Sequence, residues 1–234
     1  MDPVTDTRLL PARRESWAAL IYLALYQAYL FAAPESELLH WLSMVAIPLL
    51  LVTALRHRSM SFPAILASFG IRHGNVGKGV GWALLLGAAF GFIQIFLSGN
   101  SGEVQDSIRT GRALYLLPLG FVLMMLSAGF TEEFFFRGFL QTRVAALLGS
   151  KWSAVVIVAL LFGVYHLPYA YFNPNWPSAG DWSAAWAAAM GNGVPGGLVL
   201  GTLYVKSNRN LVACVVLHSM IGAFPAMTML QVSF

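Results

Sequence analysis

The amino-acid sequence predicts an all-α fold: a polytopic bundle of about seven transmembrane helices in one integral membrane domain, residues 1–234. Apolar residues make up 58% of the 234 residues and charged residues only 10%, whereas ordinary soluble domains have about 45–50% and about 25%. The mean hydropathy is +0.68. Because so few charges cannot cover a water-soluble fold of this size, the composition excludes soluble enzymes and disordered proteins. The single cysteine, Cys214, excludes a disulfide scaffold.

Seven apolar stretches come close to the length of about 20 residues that an α-helix needs to cross a bilayer. The first has a polar N-terminal side and lacks a small-residue cleavage site, so we interpret it as a retained helix rather than a signal peptide. The sequence shows no repeat of fixed period and no long polar domain. The predicted spans are Trp17–Ala33, Leu38–Leu55, Val80–Leu97, Leu116–Thr142, Trp152–Phe172, Trp182–Val205 and Leu211–Val232.

The basic residues of the connectors predict the orientation of the bundle. Eleven of the 14 Lys and Arg residues fall in connectors on one side, and two, Arg109 and Arg112, fall on the other. By the positive-inside rule the N-terminus is cytoplasmic and the C-terminus is outside, and we expect a plasma (inner) membrane location. Lys and Arg do not cluster with interleaved aromatic residues, so we expect no nucleic-acid partner. The eleven residues are Arg8, Arg13, Arg14, Arg56, Arg58, Arg72, Lys78, Arg143, Lys151, Lys206 and Arg209.

Two connectors have distinctive compositions. Ser59–Arg72 places apolar residues at helical spacing and is either an interfacial helix on the cytoplasmic face or a plain loop. Asn173–Gly180 is rich in turn-forming residues and cannot be helical. This second connector forms either the outer mouth of a cavity or a tight turn.

The fourth span contains three ionisable residues. Such groups are expensive inside a membrane, at about 2.5–3.5 kcal/mol for Asp, Lys or Arg on insertion scales. Glu133 and Arg137 are four residues apart, so they meet on one helix face and can neutralise each other, whether to support a site or merely to hold helices together. Glu132 is rotated by about 100° from Glu133 and has no local partner. Because pinning helices together needs no second carboxylate, Glu132 is the candidate general acid or base.

Two histidines lie inside the apolar fifth and seventh spans. His166 follows Phe162 by four residues on the same helix face, and His218 lies within the last span. A lone histidine on an apolar helix is usually a packed core residue. Two on separate helices, together with Glu132, form a polar set that can activate a water molecule or hold a metal ion. The remaining histidines flank loops or span ends: His40, His57 and His73.

The sixth span combines residues that pack helices with residues that distort them. Gly197 and Gly201 form a small-xxx-small pair that lets two helices approach closely, and packing is the favoured interpretation for these glycines. Pro195, among glycines, is expected to kink or break the helix. Asn192 is polar at membrane depth, and it either packs or faces a cavity.

The motifs together resemble one known family. Glu132–Arg137, with the sequence EEFFFR, resembles the EExxxR motif of the CPBP intramembrane endopeptidases, also called the Abi family, which includes the type II CAAX prenyl endopeptidases. Phe162–His166 is similar to the second motif, FxxxH. The segment from Gly197 to His218 is similar to the third, a glycine-rich helix, a short turn and a helix bearing histidine. The order and spacing of the motifs agree over about Leu114–Ala223, the expected catalytic core.

The resemblance implies an all-helical membrane peptidase, a hydrolase that cleaves peptides or proteins in or at the bilayer. Carried over by position, Glu132 is the general base that activates water, His166 assists it and His218 helps bind the oxyanion. Glu133 and Arg137 orient these groups. The family has been described both as metalloproteases and as glutamate-dependent proteases without metal. We expect no cofactor, because this chain lacks the two histidines on one helical turn that zinc proteases with an HExxH motif have. If zinc is present, its ligands are Glu132, His166 and His218.

Two features conflict with what the resemblance implies. The family often has Asn or Asp four residues after the last histidine, where this chain has Gly222. Either Asn192 or Ser219 substitutes as an oxyanion donor, or His218 acts with backbone groups, or activity is weak. Counted from the connectors at 1.5 Å per residue, His218 lies about 13 Å deep and His166 about 22 Å deep. Straight helices that start level would keep the two histidines apart.

Other function classes are compatible with parts of the sequence. A non-catalytic membrane adaptor or immunity-type protein on the same scaffold would explain Gly222. A proton-coupled transporter would use the intramembrane Glu and His residues as a relay, but transporters usually contain internal repeats, and seven spans do not divide into equal halves. Haem ligation by His166 and His218 would leave Glu132 without a role. The sequence favours the membrane peptidase, whose partners are a peptide or protein substrate and the lipid bilayer.

Overall fold

The computed structural model of the chain describes residues 11, 13–33, 36–71 and 76–232. Within these residues the chain forms ten helices and no strand, which confirms the predicted all-α class. The positions of Arg8, Arg72 and His73 lie outside the described residues. The helices are α1 Arg13–Ala32, α2 Glu37–Arg56, α3 Phe62–Ser68, α4 Val76–Phe96, α5 Ser101–Arg109, α6 Ala113–Leu126, α7 Ala128–Leu148, α8 Lys151–Phe172, α9 Trp182–Lys206 and α10 Leu211–Val232.

Four of the described helices are long and apolar enough to cross a membrane: α2, α4, α8 and α10. A fifth span results if α6 and α7, which meet at Ser127 with a bend of 42°, are taken as one. The predicted first and sixth spans are helical, as α1 and α9, but they are more polar than the other four. Tyr22 and Gln27 lower the mean hydropathy of α1, and Asn192 lowers that of α9. The predicted membrane bundle is confirmed, with four or five apolar spans among the described residues rather than seven.

Helix α7 lies at the centre of the bundle. Every residue from 131 to 144 is buried. Phe134 stacks on Phe69 with ring centroids 4.5 Å apart, and Phe136 meets Phe162 edge-on at 4.9 Å. Over Phe134–Gln141 the helix has π geometry, in which hydrogen bonds link residues five apart. The phenylalanines therefore enclose the ionisable residues of α7 within the core of the protein.

Small residues allow close helix contacts on either side of this core. On α4, Gly87 faces Met220 of α10. On α9, a Cβ atom added at Gly193 would lie only 2.7 Å from Cα of Gly163 on α8. Helix α9 continues through Pro195 as far as Lys206, so the expected break does not occur there.

We expect Gly197→Ala to loosen the contact between α8 and α9. A Cβ atom at Gly197 would lie 2.8 Å from Cα of Ala159, and backbone cannot move aside cheaply. Overpacking of this kind costs about 1–3 kcal/mol. The neighbouring Gly196 has nothing within 4 Å of an added Cβ. Gly196→Ala should therefore be neutral, or stabilise the helix by up to about 1 kcal/mol. Thermal unfolding of both variants in detergent measures the difference, and equal unfolding temperatures would contradict the packing interpretation.

A buried ion network anchors α1 to α2 and α7. Oε2 of Glu15 lies 2.6 Å from Nε of Arg56, and its Oε1 lies 2.7 Å from a guanidinium nitrogen of Arg143. The Arg143 guanidinium also lies over the Phe69 ring, 4.6 Å from its centroid. The predicted spans leave Arg56 and Arg143 in the connectors, but in the structure both are buried and share one carboxylate. The predicted cytoplasmic N-terminus stays a prediction.

Both distinctive connectors pack against the bundle. The helical alternative for Ser59–Arg72 is correct for its middle, which forms α3. Ile65 of α3 and Phe69, which directly follows the helix, are buried, so the inner face of α3 packs against the core of the bundle. The connector Asn173–Gly180 contains no helix, as predicted. Its Trp176 lines a cavity that also contains Glu132.

Candidate active site

A cavity of about 310 Å³ opens beside Glu132. It is enclosed by residues from α2, α6, α7, α8 and α10, and by the connector that follows α8. Glu132, His166 and His218 all line it. The structure thus brings together, from three helices, the three residues that the sequence analysis grouped as a polar set.

The Glu132 carboxylate lies between the two histidines. Its Oε2 atom is 3.8 Å from Nε2 of His166 and 3.8 Å from Nε2 of His218. These distances are too long for a direct hydrogen bond. Oε2 makes no hydrogen bond to any residue that the structure describes. The side chains are 8%, 21% and 13% exposed in the order Glu132, His166 and His218, so each has a part that faces the cavity, although Oε2 of Glu132 is itself buried.

Hydrogen bonds on the far side of each ring fix which nitrogen faces Glu132. Nδ1 of His166 lies 2.8 Å from the carbonyl oxygen of Phe162, and Nδ1 of His218 lies 2.8 Å from Oε1 of Glu133. Both partners are acceptors, so each Nδ1 carries the proton that is donated. In the neutral rings Nε2 then presents a lone pair to the cavity. The Nε2 lone pairs of both histidines and the Glu132 carboxylate are therefore all hydrogen-bond acceptors directed toward one point. A donor such as a water molecule would stabilise this arrangement.

Glu133 and Arg137 form the predicted pair behind His218. Their side chains are completely buried, with Oε2 of Glu133 3.1 Å from Nε of Arg137. The guanidinium lies 4.8 Å from the centroid of the Phe162 ring, and its nitrogens make no directed hydrogen bond within the described part of the chain. The contact is therefore an ion pair supported by a cation–π contact. Arg137, Glu133 and His218 form a chain of contacts that holds the His218 ring in place.

Two proposed substitutes for the family's Asn or Asp do not reach the cavity. Asn192 is exposed and donates from Nδ2 to the carbonyl oxygen of Ala188 in its own helix. Ser219 is buried and donates to the carbonyl oxygen of Val215. The expectation that either one donates to an oxyanion is wrong, because each hydroxyl or amide is used on its own backbone.

Met124 fills the space that a side chain at Gly222 would occupy. A Cβ atom added at Gly222 would lie 2.6 Å from Cε of Met124. Met124 itself lines the cavity from α6. The glycine thus allows an apolar side chain to form part of the wall next to His218.

The predicted difference in depth between His166 and His218 is also wrong, since both lie 3.8 Å from the same oxygen. Helix α10 starts further inside the protein than α8. The first amide of α10, at Leu211, donates to the carbonyl oxygen of Gly70 just after α3, and the Arg209 guanidinium donates to the carbonyl oxygen of Ser68. The start of α10 is thus held against the buried end of α3. Fewer residues of α10 are therefore needed to bring His218 to the depth of His166.

Sequence reasoning missed three further residues of the cavity. Nε2 of His40 lies 2.7 Å from Oγ1 of Thr131, which itself donates to a backbone carbonyl and so accepts from His40. Tyr165 and Tyr169 line the cavity from α8, on either side of His166 in sequence. Their spacing of four residues places both on one face of α8, which is the signal that could have identified them.

Glu132, His166 and His218 would be the ligands if this protein held a zinc ion. No group of three or more His, Cys, Asp and Glu side chains within the described residues is arranged to hold a metal ion. Cys214 is buried, with Sγ 3.6 Å from the carbonyl oxygen of Leu200, and so packs as an apolar residue. The expected absence of a cofactor stays a prediction.

Comparison with known proteins identifies the segment that carries the cavity. The sequence profile of the Rce1-like type II CAAX prenyl endopeptidases matches residues 114–224. This range includes Glu132, Glu133, Arg137, His166 and His218, and the resemblance found in the sequence is confirmed. No curated protein and no solved structure matches the chain. The match covers slightly less than half of the chain, which is therefore similar to these endopeptidases over the segment that contains the candidate site and has helices of membrane-spanning length.

Proposed function

We propose, from the premise that residues 114–224 match the Rce1-like type II CAAX prenyl endopeptidases, that this protein is an intramembrane endopeptidase. Its substrates are peptides or proteins in or at the bilayer. The observation that carries the proposal is the position of Glu132 Oε2, 3.8 Å from Nε2 of both His166 and His218. A water molecule that enters from the cavity would meet a base on one side and a lone-pair acceptor on the other.

The reaction begins with deprotonation of that water. Glu132 takes one proton while His166 accepts a hydrogen bond from the other, and the water oxygen attacks the scissile carbonyl carbon. The carbonyl oxygen becomes an oxyanion. Glu132 then gives its proton to the amide nitrogen, the C–N bond breaks, and an acid and an amine leave. Preorganised donors around the oxyanion supply much of the rate in reactions of this type.

His218 is placed to donate to the oxyanion. It can donate from Nε2 when its ring carries both protons, and the carboxylate of Glu133 at Nδ1 balances that charge. Arg137 holds Glu133 from the other side. In this arrangement Glu133 and Arg137 are positioning residues, since they act through His218 rather than on the substrate.

Hydrolysis by the purified protein in lipid vesicles tests the proposal. The probes are membrane-anchored fluorogenic peptides, with and without an S-farnesyl cysteine, and the product is the new amine. We expect cleavage that survives EDTA and 1,10-phenanthroline. Strong inhibition that zinc reverses would instead assign Glu132, His166 and His218 as metal ligands. Failure to cleave any peptide of the panel by a stably folded protein would support the non-catalytic adaptor, the alternative that Gly222 favours.

The proposed topology follows from the charge asymmetry of the sequence. We place the N-terminus in the cytoplasm and the C-terminus outside a plasma (inner) membrane. The partners are then the bilayer and a peptide or protein substrate, with no nucleic acid. No cofactor is proposed for the reaction.

A further inference from the structure

Helix α1 carries two polar side chains that the proposed mechanism does not use, Tyr22 and Gln27. Both lie inside a predicted membrane span, where a polar group is costly unless it forms a hydrogen bond. Among the described residues, those that line the cavity beside Glu132 include none from α1. Helix α1 also precedes residues 114–224, the segment that matches the endopeptidase profile. A role for these side chains therefore has to come from the helices that they hold.

Gln27 compensates for a proline in α8. Pro168 has no N–H group, so it cannot donate to the carbonyl oxygen of Val164, four residues earlier in the helix. Nε2 of Gln27 lies 3.0 Å from that oxygen and donates to it. The hydrogen bond that α8 loses at its proline is thus replaced by a donor from α1.

Tyr22 does the same for α2. The amide of Ile47 donates to the carbonyl oxygen of Leu42, five residues earlier, instead of to that of Ser43. The next residue is Pro48, which has no N–H group to donate. The Tyr22 hydroxyl donates to the Ser43 carbonyl oxygen at 2.7 Å. Helix α1 therefore supplies donors to two neighbouring helices, each at a position where a proline removes one.

The bond from Gln27 lies in the helical turn that carries His166. This histidine comes two residues after Val164 and two residues before Pro168. Its Nδ1 atom donates to the carbonyl oxygen of Phe162 in the same part of α8, so the ring follows the backbone of this turn. A shift of the turn would change the distance of 3.8 Å between Nε2 of His166 and Oε2 of Glu132.

We propose that Gln27 is a positioning residue, whose hydrogen bond to Val164 fixes the turn of α8 that carries His166. The inference rests on the proposed peptidase function. It extends the residues that support the reaction to α1, outside the segment that matches the endopeptidases. A misplacement of about 1 Å can lower the rate of an enzyme by about 10², even when the altered residue lies far from the reacting atoms.

Gln27→Met tests this assignment, because methionine keeps the length of the side chain and removes the donor. We expect kcat to fall by about 10–10², with KM little changed, since the substrate does not touch Gln27. Gln105→Met is the matched control. Nε2 of Gln105 also donates to a helix carbonyl oxygen, that of Ile95 at 2.9 Å, at an exposed position outside the cavity lining. The control should keep the parent kcat. Parent kcat in Gln27→Met, or a loss confined to KM, would overturn the inference.

Pro168→Ala separates positioning from a general loss of stability. Alanine supplies an N–H group four residues after Val164, so the turn no longer depends on Gln27. In the Pro168→Ala background, the loss of kcat caused by Gln27→Met should shrink to about threefold or less, because the two changes act on one carbonyl group. The unfolding temperatures of the same four proteins in detergent should be non-additive in the same sense. Equal losses in both backgrounds, in kcat or in unfolding temperature, would show that Gln27 does not act through Val164.

The outcomes also distinguish this inference from the proposed function. Activity in Glu132→Gln would remove the peptidase mechanism itself, and the role of Gln27 with it. An inactive Glu132→Gln beside a fully active Gln27→Met would leave the peptidase standing and remove only the role of Gln27.

Discussion

Glu132→Gln should abolish peptide hydrolysis while leaving the fold intact. Glutamine keeps the size of the side chain and can still bind water, but it cannot take the proton from the attacking water. Loss of a general base costs about 10²–10⁴ in rate. Oε2 of Glu132 makes no hydrogen bond within the described residues, so the substitution breaks no structural contact of that atom.

The measurement is cleavage of the anchored fluorogenic peptide by the variant in vesicles, with its unfolding temperature as a check on folding. Glu103→Gln is the matched control. Glu103 is an exposed carboxylate on α5 and is not one of the residues that line the cavity. It should keep the parent rate. Full activity in Glu132→Gln would end the mechanism as stated, whatever the other variants do.

Glu133→Gln should destabilise the protein more than Glu133→Gln combined with Arg137→Met. The single change leaves a completely buried guanidinium without its carboxylate, supported only by the Phe162 ring. Breaking a buried ion pair on one side costs about 3–5 kcal/mol. The double change removes both charges, and glutamine can still accept from Nδ1 of His218.

Unfolding in detergent by heat or urea gives the free energies for this comparison. The control is Asp106→Asn on α5, whose partner Arg112 is 39% exposed, so the pair is screened by water and its loss should cost at most about 1 kcal/mol. A double variant less stable than both Glu133→Gln and Arg137→Met would show that the two residues do not act as a pair.

The central residues of the site could be predicted because a membrane makes them conspicuous. An ionisable side chain inside an apolar span is costly, so it is a candidate functional residue. This criterion singled out Glu132, His166 and His218. The Glu133–Arg137 pair followed from helix periodicity alone. These inferences used only local sequence, and the helical fold class likewise followed from apolar stretches and composition.

Contacts between distant segments could not be predicted in this way. Arg143 was assigned to a connector because its partner, Glu15, comes 128 residues earlier in the chain. The depth of His218 was misjudged because a count of residues does not show that α10 starts against Gly70. Tyr169 was missed since tyrosines are common at the ends of membrane helices, and only the fold shows that this one faces a cavity.

The bend at Ser127 has a consequence for the supply of water. A break between α6 and α7 exposes backbone amides and carbonyls at membrane depth, and such groups are tolerated there only inside protein or along a wet cavity. Ser127 and Ala128 line the cavity beside Glu132, so the interrupted backbone is itself part of the cavity wall. We expect the same break, which redirects the chain by 42°, to keep a polar path open to the carboxylate. We therefore expect water, which lipid excludes, to reach Glu132 along this wall rather than through the hydrocarbon layer.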